Sequence, residues 1–321
     1  MVKTLIVFPL VLLLAQKPVK KPDVHPDFHF GSYPYSRAAE EILKDELSRQ
    51  IVVAYHQGWS LDKIAKQLKA QISDVSKAAD KLEDARLAGR RDEYDVRPFM
   101  PVIREQDFDK VKDTLRRHTQ EFTKVILDNW NDIDAMAGSL DGAKGLPKDR
   151  LMYETVVSGI LLGGMMDAFY EDKTLMPPPG RRGYFAWLLE SNPEAAGKLR
   201  REIRESAGYR VVTIGTALAD EKLNAGDLRG KDTVLEEADA RKYRTFINVL
   251  TRDKLLPYFK TRREEFRKAG SLIKAGGYSA FAEFFAWYYN AIANGVAEAL
   301  VAERRVTPPQ KLYTYAVRAP Q

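Results

Sequence analysis

The chain has 321 residues, 45% hydrophobic and 10% aromatic, which suits two domains of roughly 100–200 residues each and excludes a disordered polymer. It has no cysteine, so disulfides, thiolate nucleophiles, cysteine-ligated zinc and a lipid anchor at cysteine are all excluded. A formal net charge of +6 invites a nucleic-acid or other anionic partner, provided the charge is concentrated where such a partner would dock.

The N-terminus reads MVKTLIVFPLVLLLAQ. Lys3 is a short basic start, residues 4–15 are uniformly apolar, and Leu13-x-Ala15 is an acceptable ending before Gln16. That order predicts a secretory signal peptide over residues 1–15, cleaved between Ala15 and Gln16. As a helix the twelve apolar residues reach about 18 Å against a hydrocarbon core of roughly 30 Å, too short for a permanent span. The expected compartment is therefore periplasmic or extracellular, with a cytoplasmic location as the alternative. Residues 16–35 hold four prolines and three lysines with no apolar period, predicting an extended linker.

Ser36 is a helix N-cap by type, and Leu43, Leu47, Ile51 and Tyr55 recur every four residues behind it; Gly58 ends that helix. Ser60 opens a short helix burying Leu61, Ile64, Ala65 and Leu68. A break at Ala70 and Gln71 leads to a third helix over 73–87 burying Val75, Ala78, Ala79 and Leu82, and residues 90–103 suit a short hairpin. Helix, short helix, tight turn, helix and hairpin in this order resemble the winged helix-turn-helix superfamily over residues 36–103. The resemblance implies DNA binding through the start of the third helix, here Ser73, Asp74, Ser76 and Lys77. The charge argues otherwise. Residues 36–103 carry twelve Lys or Arg and twelve Asp or Glu, whereas phosphate neutralisation needs a basic face. The expected role of this module is scaffolding or docking.

From Arg104 onward helical periods dominate. Phe108, Val111, Leu115, Phe122, Val125 and Ile126 lie on one face of a long helix reaching about Ala137. A helix over roughly 148–171 is apolar on nearly all sides and so central. Gly163 and Gly164 in its middle cost roughly 1 kcal/mol each relative to alanine, which a close helix crossing would justify. The segment after Gly183 reads as aromatic and then helical. Residues 210–218 read as a lone strand or a helix start, and a final helix over 278–305 precedes a Pro-containing tail. The predicted architecture is mainly α, a winged-helix-like module followed by a larger α-helical bundle over 104–321.

Chemistry-bearing motifs are sparse. His25 and His29 have metal-like spacing in a Pro-rich linker. His118 and Glu121 lie one turn apart on a single helix, short of the converging Glu-x-x-His pairs a di-iron bundle needs, and read as a surface cluster. There is no Gly-x-Ser-x-Gly, phosphate-cradling glycine loop or His-Glu-x-x-His. No catalytic, cofactor-binding or metal-ligating residue is assigned, and no cofactor is implied. Basic charge collects in residues 252–274, with eight Lys or Arg against three acids. That run reads either as a contact for an anionic surface or as a solvated, ion-paired helix face.

The remaining candidate is in the last helix. Glu283, Trp287, Asn290, Asn294 and Glu298 fall within about 80° on a wheel of roughly 100° per residue. Facing inward they would line a ligand pocket; the cost of burying carboxylates favours an outward, wet stripe. The expected function is an exported, soluble, helical protein that binds a protein or small molecule. The alternative is a cytoplasmic winged-helix transcription regulator with a ligand-sensing helical domain.

Overall fold

A computed structural model describes residues 28–90, 96–190, 199–215, 232–273, 281–310 and 312–320. The expected signal peptide with Ala15 and Gln16, most of the expected linker, and His25 lie outside the described residues.

The chain is mainly α with small sheets. Strand β1 (His29–Tyr33) precedes α1 (Arg37–Lys44), α2 (Glu46–His56), α3 (Leu61–Leu68) and α4 (Ile72–Asp84). Ser36 caps α1 by accepting from the Ala39 amide, and Ser60 caps α3 by accepting from that of Lys63. The single helix expected after Ser36 is instead two. Asp45 takes an extended conformation and its carboxylate accepts from the Ser48 amide at 2.9 Å, so it is an N-cap set inside the four-residue repeat. Strands β2 (Ala88–Arg90) and β3 (Val96–Pro98) then form an antiparallel hairpin, followed by β4 (Val102–Ile103). Val75, Ala78, Ala79 and Leu82 are buried as expected, in a core with Leu43, Ile51, Val52 and Ile64.

The second core is larger. Helix α5 (Glu105–Asp128) stops at Asn129, one residue before α6 (Trp130–Gly138). Helix α7 (Lys148–Tyr153), a π-helix (Glu154–Gly164) and α8 (Met165–Asp172) run on without a break, every π-helical residue being buried. Here the structure corrects the expectation of a purely helical domain. Residues read as aromatic and then helical are strands β5 (Phe185–Leu189) and β6 (Arg200–Ser206), and β7 (Tyr209–Gly215) is one of several strands. After β8 (Val234–Leu235) come α9 (Glu237–Val249), a second π-helical segment (Leu250–Leu255), α10 (Leu256–Thr261), α11 (Arg263–Leu272) and α12 (Phe281–Ala302). The Pro-containing tail ends in a strand, β9 (Leu312–Arg318).

Strands β6, β7, β9 and β8 form one sheet in that order. A second sheet, β1-β5-β4, joins the two cores. Along β5, Phe185, Trp187 and Leu189 enter the larger core while Ala186 and Leu188 enter the smaller. Side chains alternate across a strand, so a strand buried on both faces reads as a continuous apolar run. That is why FAWLL shows no strand-like alternation. The same pairing makes residues 29–33 a strand, a correction to the extended linker expected there: β1 lies antiparallel on β5, with Gly31 opposite Trp187. A Cβ at Gly31 would come within 2.1 Å of the Trp187 indole nitrogen.

Candidate functional site

The polar stripe of the last helix turns inward, against the expectation of a wet face. Trp287 is 1% exposed, Asn290 6% and Asn294 7%. The stripe can be buried because its amides satisfy one another and the backbone. Asn294 Nδ2 donates to the Asn290 carbonyl at 2.7 Å and to Asn290 Oδ1 at 3.0 Å, and Asn294 Oδ1 accepts from the Leu199 amide at 3.2 Å. Its carboxylates sit at the two ends. Glu298 is exposed, while Glu283 takes Arg182 Nη2 at 2.5 Å and the Ala186 amide at 3.3 Å. Burial pushes the Glu283 carboxyl above the usual range, with Arg182 opposing it. Arg182 also donates to the carbonyls of Arg86, Phe99 and Tyr184, so this pair ties α12 to the N-terminal module. None of the five stripe residues lines one of the cavities described below.

The other sequence candidates are equally structural. His118 is fully buried, not part of a surface cluster. Its Nδ1 lies 3.0 Å from the Tyr288 hydroxyl and its Nε2 3.3 Å from Glu265 Oε2, and burial lowers its pKa. Glu121 accepts from Tyr258 and Arg262. No three metal-ligating side chains converge among the described residues. In residues 252–274, Arg252, Lys260, Arg262 and Arg267 pair with Glu171, Asp172, Glu121 and Glu264, as an ion-paired helix face would. At the start of α4, Ser73, Asp74 and Lys77 are exposed and Ser76 is half-buried. Among the described residues no helix is long and apolar enough to cross a membrane.

A different place collects charge and space together. A cavity of about 380 Å³ lies between the four-stranded sheet, α9 and the π-helix, within the size range of small-molecule sites. Strand alternation aims one face of the sheet into it. Ile203, Val212 and Tyr315 are cross-strand neighbours on β6, β7 and β9, flanked by Arg201 on β6 and by the pair Arg210 and Val317. Val211 and Ala316, of opposite parity, pack together on the other face. Helix α9 contributes Tyr243, Arg244 and Asn248; α8 contributes Asp167, Tyr170 and Glu171.

Glycine makes the floor. A Cβ at Gly159 would lie 1.9 Å from the Tyr243 hydroxyl, one at Gly163 would lie 3.1 Å from Arg201 Nη2, and one at Gly164 would lie 2.4 Å from Ile247 Cγ2. Gly164 thus permits the close crossing of α9 anticipated for this pair. The π-helix adds further acceptors: Tyr289 donates to the Leu161 carbonyl at 2.6 Å and Tyr33 to that of Leu162. π-Helical turns are rare and recur at functional sites.

Four arginines line the cavity: Arg201, Arg210, Arg244 and Arg318. Arg201 Nε donates to Ser158 Oγ at 3.3 Å, which itself lies 2.8 Å from the Tyr315 hydroxyl. No carboxylate among the described residues comes within ion-pairing distance of Arg201. Among the described residues Arg210 ion-pairs only with Glu205, at 3.8 Å; the Arg318 guanidinium stacks over Tyr209 at 4.8 Å, on the sheet face of Val211 and Ala316, and the Arg318 carbonyl accepts from Arg244. Of the two acids, Glu171 is paired with Arg252, and burial pushes the Asp167 carboxyl above the usual carboxylate range, against Arg201 and Arg210. The Tyr33 hydroxyl, beside Arg201, is pushed up to about 12, chiefly by burial. The Tyr170 hydroxyl is buried without a hydrogen-bond partner among the described residues.

Sequence reasoning does not find this site, because its residues come from six elements separated by up to 159 positions. One signal is present, the Gly-Gly pair within an apolar helix. Comparison with family models, with curated proteins and with solved structures gave no match.

Proposed function

We propose that this chain is an exported, non-catalytic binding protein that holds a small organic anion in the cavity over the π-helix. The observation that carries this reading is the charge inside that cavity. Three guanidinium groups, those of Arg201, Arg210 and Arg244, line it against two carboxylates, one of them already paired outward with Arg252. Guanidinium groups gathered with few counter-charges favour an anionic ligand, and arginine suits planar and tetrahedral oxyanions. Titration calorimetry with inorganic phosphate and sulfate at low ionic strength tests it. Binding by the wild type and its loss in Arg201→Gln are expected; absence of binding to both anions removes the reading.

We also read residues 36–103 as a winged-helix-like module used for docking. The order α2, α3, α4 and hairpin β2-β3 supports the architecture, and the balanced charge supports a protein partner over DNA. The competing reading is a cytoplasmic transcription regulator whose cavity senses the anion. One observation favours it: Ser73, Asp74 and Lys77 stand exposed on the first turns of α4, where a DNA reader presents its base contacts. A low-salt gel shift abolished by Lys77→Glu would establish that alternative. The mass of the mature chain separates the two by compartment, with a start at Gln16 expected for the exported protein.

A further inference from the structure

A second cavity of about 410 Å³ adjoins the arginine-lined one. The two share Asp167, Tyr170, Arg201 and Ile203, so side chains alone mark the junction. Beyond it the lining changes character. Pro34, Tyr35 and Met166 replace the arginines, and the acid on that side, Glu202, is paired with Arg204 at 2.8 Å. Tyr35 is fixed from both ends, its hydroxyl donating to Glu40 and its ring lying 5.2 Å from the Arg200 guanidinium.

We infer that the two cavities are lobes of one site, which takes a dianionic head group joined to a planar apolar body, a phosphate monoester of an aromatic alcohol being the simplest case. This rests on the anion-binding reading above and gives it a substrate class. The head lies among Arg201, Arg210 and Arg244, enough guanidinium groups for two negative charges. The body crosses the junction and packs on Pro34, Tyr35 and Met166. The Tyr170 hydroxyl, an orphan donor lining both lobes, donates to the oxygen that joins head to body. A buried donor without a partner costs free energy that such a ligand relieves. Ile203, 46% exposed although apolar, supplies further apolar surface at the junction.

The test compares phenyl phosphate, methyl phosphate and inorganic phosphate by titration calorimetry on the full chain. Phenyl phosphate is expected to bind at least about tenfold more tightly than methyl phosphate, since burying an aromatic ring adds apolar contact. Tyr35→Ala should erase that preference while leaving inorganic phosphate affinity unchanged, Tyr170→Phe should weaken both esters more than inorganic phosphate, and Arg210→Gln should weaken all three. Equal affinity for the two esters overturns the two-lobed site but leaves an anion site standing. A preference that survives Tyr35→Ala overturns the placement of the body. Failure of all three ligands to bind overturns the anion-binding reading itself.

Discussion

Helix α12 and the cavity over the π-helix both bring polar groups inside, and they do so in opposite ways. On α12 the buried amides of Asn290 and Asn294 bond to each other and to the Leu199 amide, and the one inward carboxylate, Glu283, meets Arg182 at 2.5 Å. Only the Trp287 indole nitrogen is left without a partner among the described residues, and none of these side chains lines either cavity. Around the π-helix, Arg201 faces tyrosines and no close carboxylate, the Tyr170 hydroxyl has no partner among the described residues, and about 380 Å³ lies open beside them. Buried polarity that is mostly paired within the fold is architecture; buried polarity left short of partners next to a void marks a place for something else.

Substitutions can break that contrast. Trp287→Ala on the paired side removes the largest fully buried side chain among the described residues, and should lower stability by about 3–5 kcal/mol in urea unfolding with phosphate affinity unchanged. A selective loss of affinity in a stable variant would mean that the stripe does face a ligand. Arg182→Met leaves Glu283 with only the Ala186 amide and should cost about 3 kcal/mol at neutral pH. Its deficit should shrink in acid. The folded-state pKa of Glu283 is already raised by burial, so its protonated form favours folding below the ordinary glutamate range, and that contribution fades as pH rises through the folded value. Without Arg182 the shift grows, which makes the variant relatively better at low pH; a pH-independent deficit would show that Glu283 is not the group left uncompensated.

On the unpaired side, Gly164→Ala forces a methyl against Ile247 and Thr251, for about 1–3 kcal/mol of destabilisation together with weakened anion binding, since α9 must withdraw. Asp167→Asn should be near neutral for stability and should tighten sulfate binding several-fold at neutral pH by removing the one unpaired negative charge. Wild-type affinity for sulfate should rise as pH falls toward the raised Asp167 value, and the Asn variant should be flat over the same range. Parallel pH curves for the two proteins would remove Asp167 from the site.

Much of the fold was legible where one local rule governs. Ser36 and Ser60 cap helices as their types predict, and Val75, Ala78, Ala79 and Leu82 are buried at helical spacing. The break at Asp45 is masked by the four-residue apolar repeat that continues across it, although the capping residue is there. Strand β5 was hidden by burial on both faces, and β6 by its charge: RREIRES is an edge strand whose half-exposed residues blur the period of two.

Caps, periods and counts are properties of neighbouring residues, and they suffice for a mainly α protein, for the order of its N-terminal helices around a small apolar core and for the balanced charge there. Only the closed fold pairs the amides of α12, joins two cores through β1, β4 and β5, and brings Arg201, Arg210 and Arg244 to one cavity. Each of these depends on which surfaces close over which, and a guanidinium on one strand becomes part of a site only when sheet, helix and glycine floor leave a cavity between them.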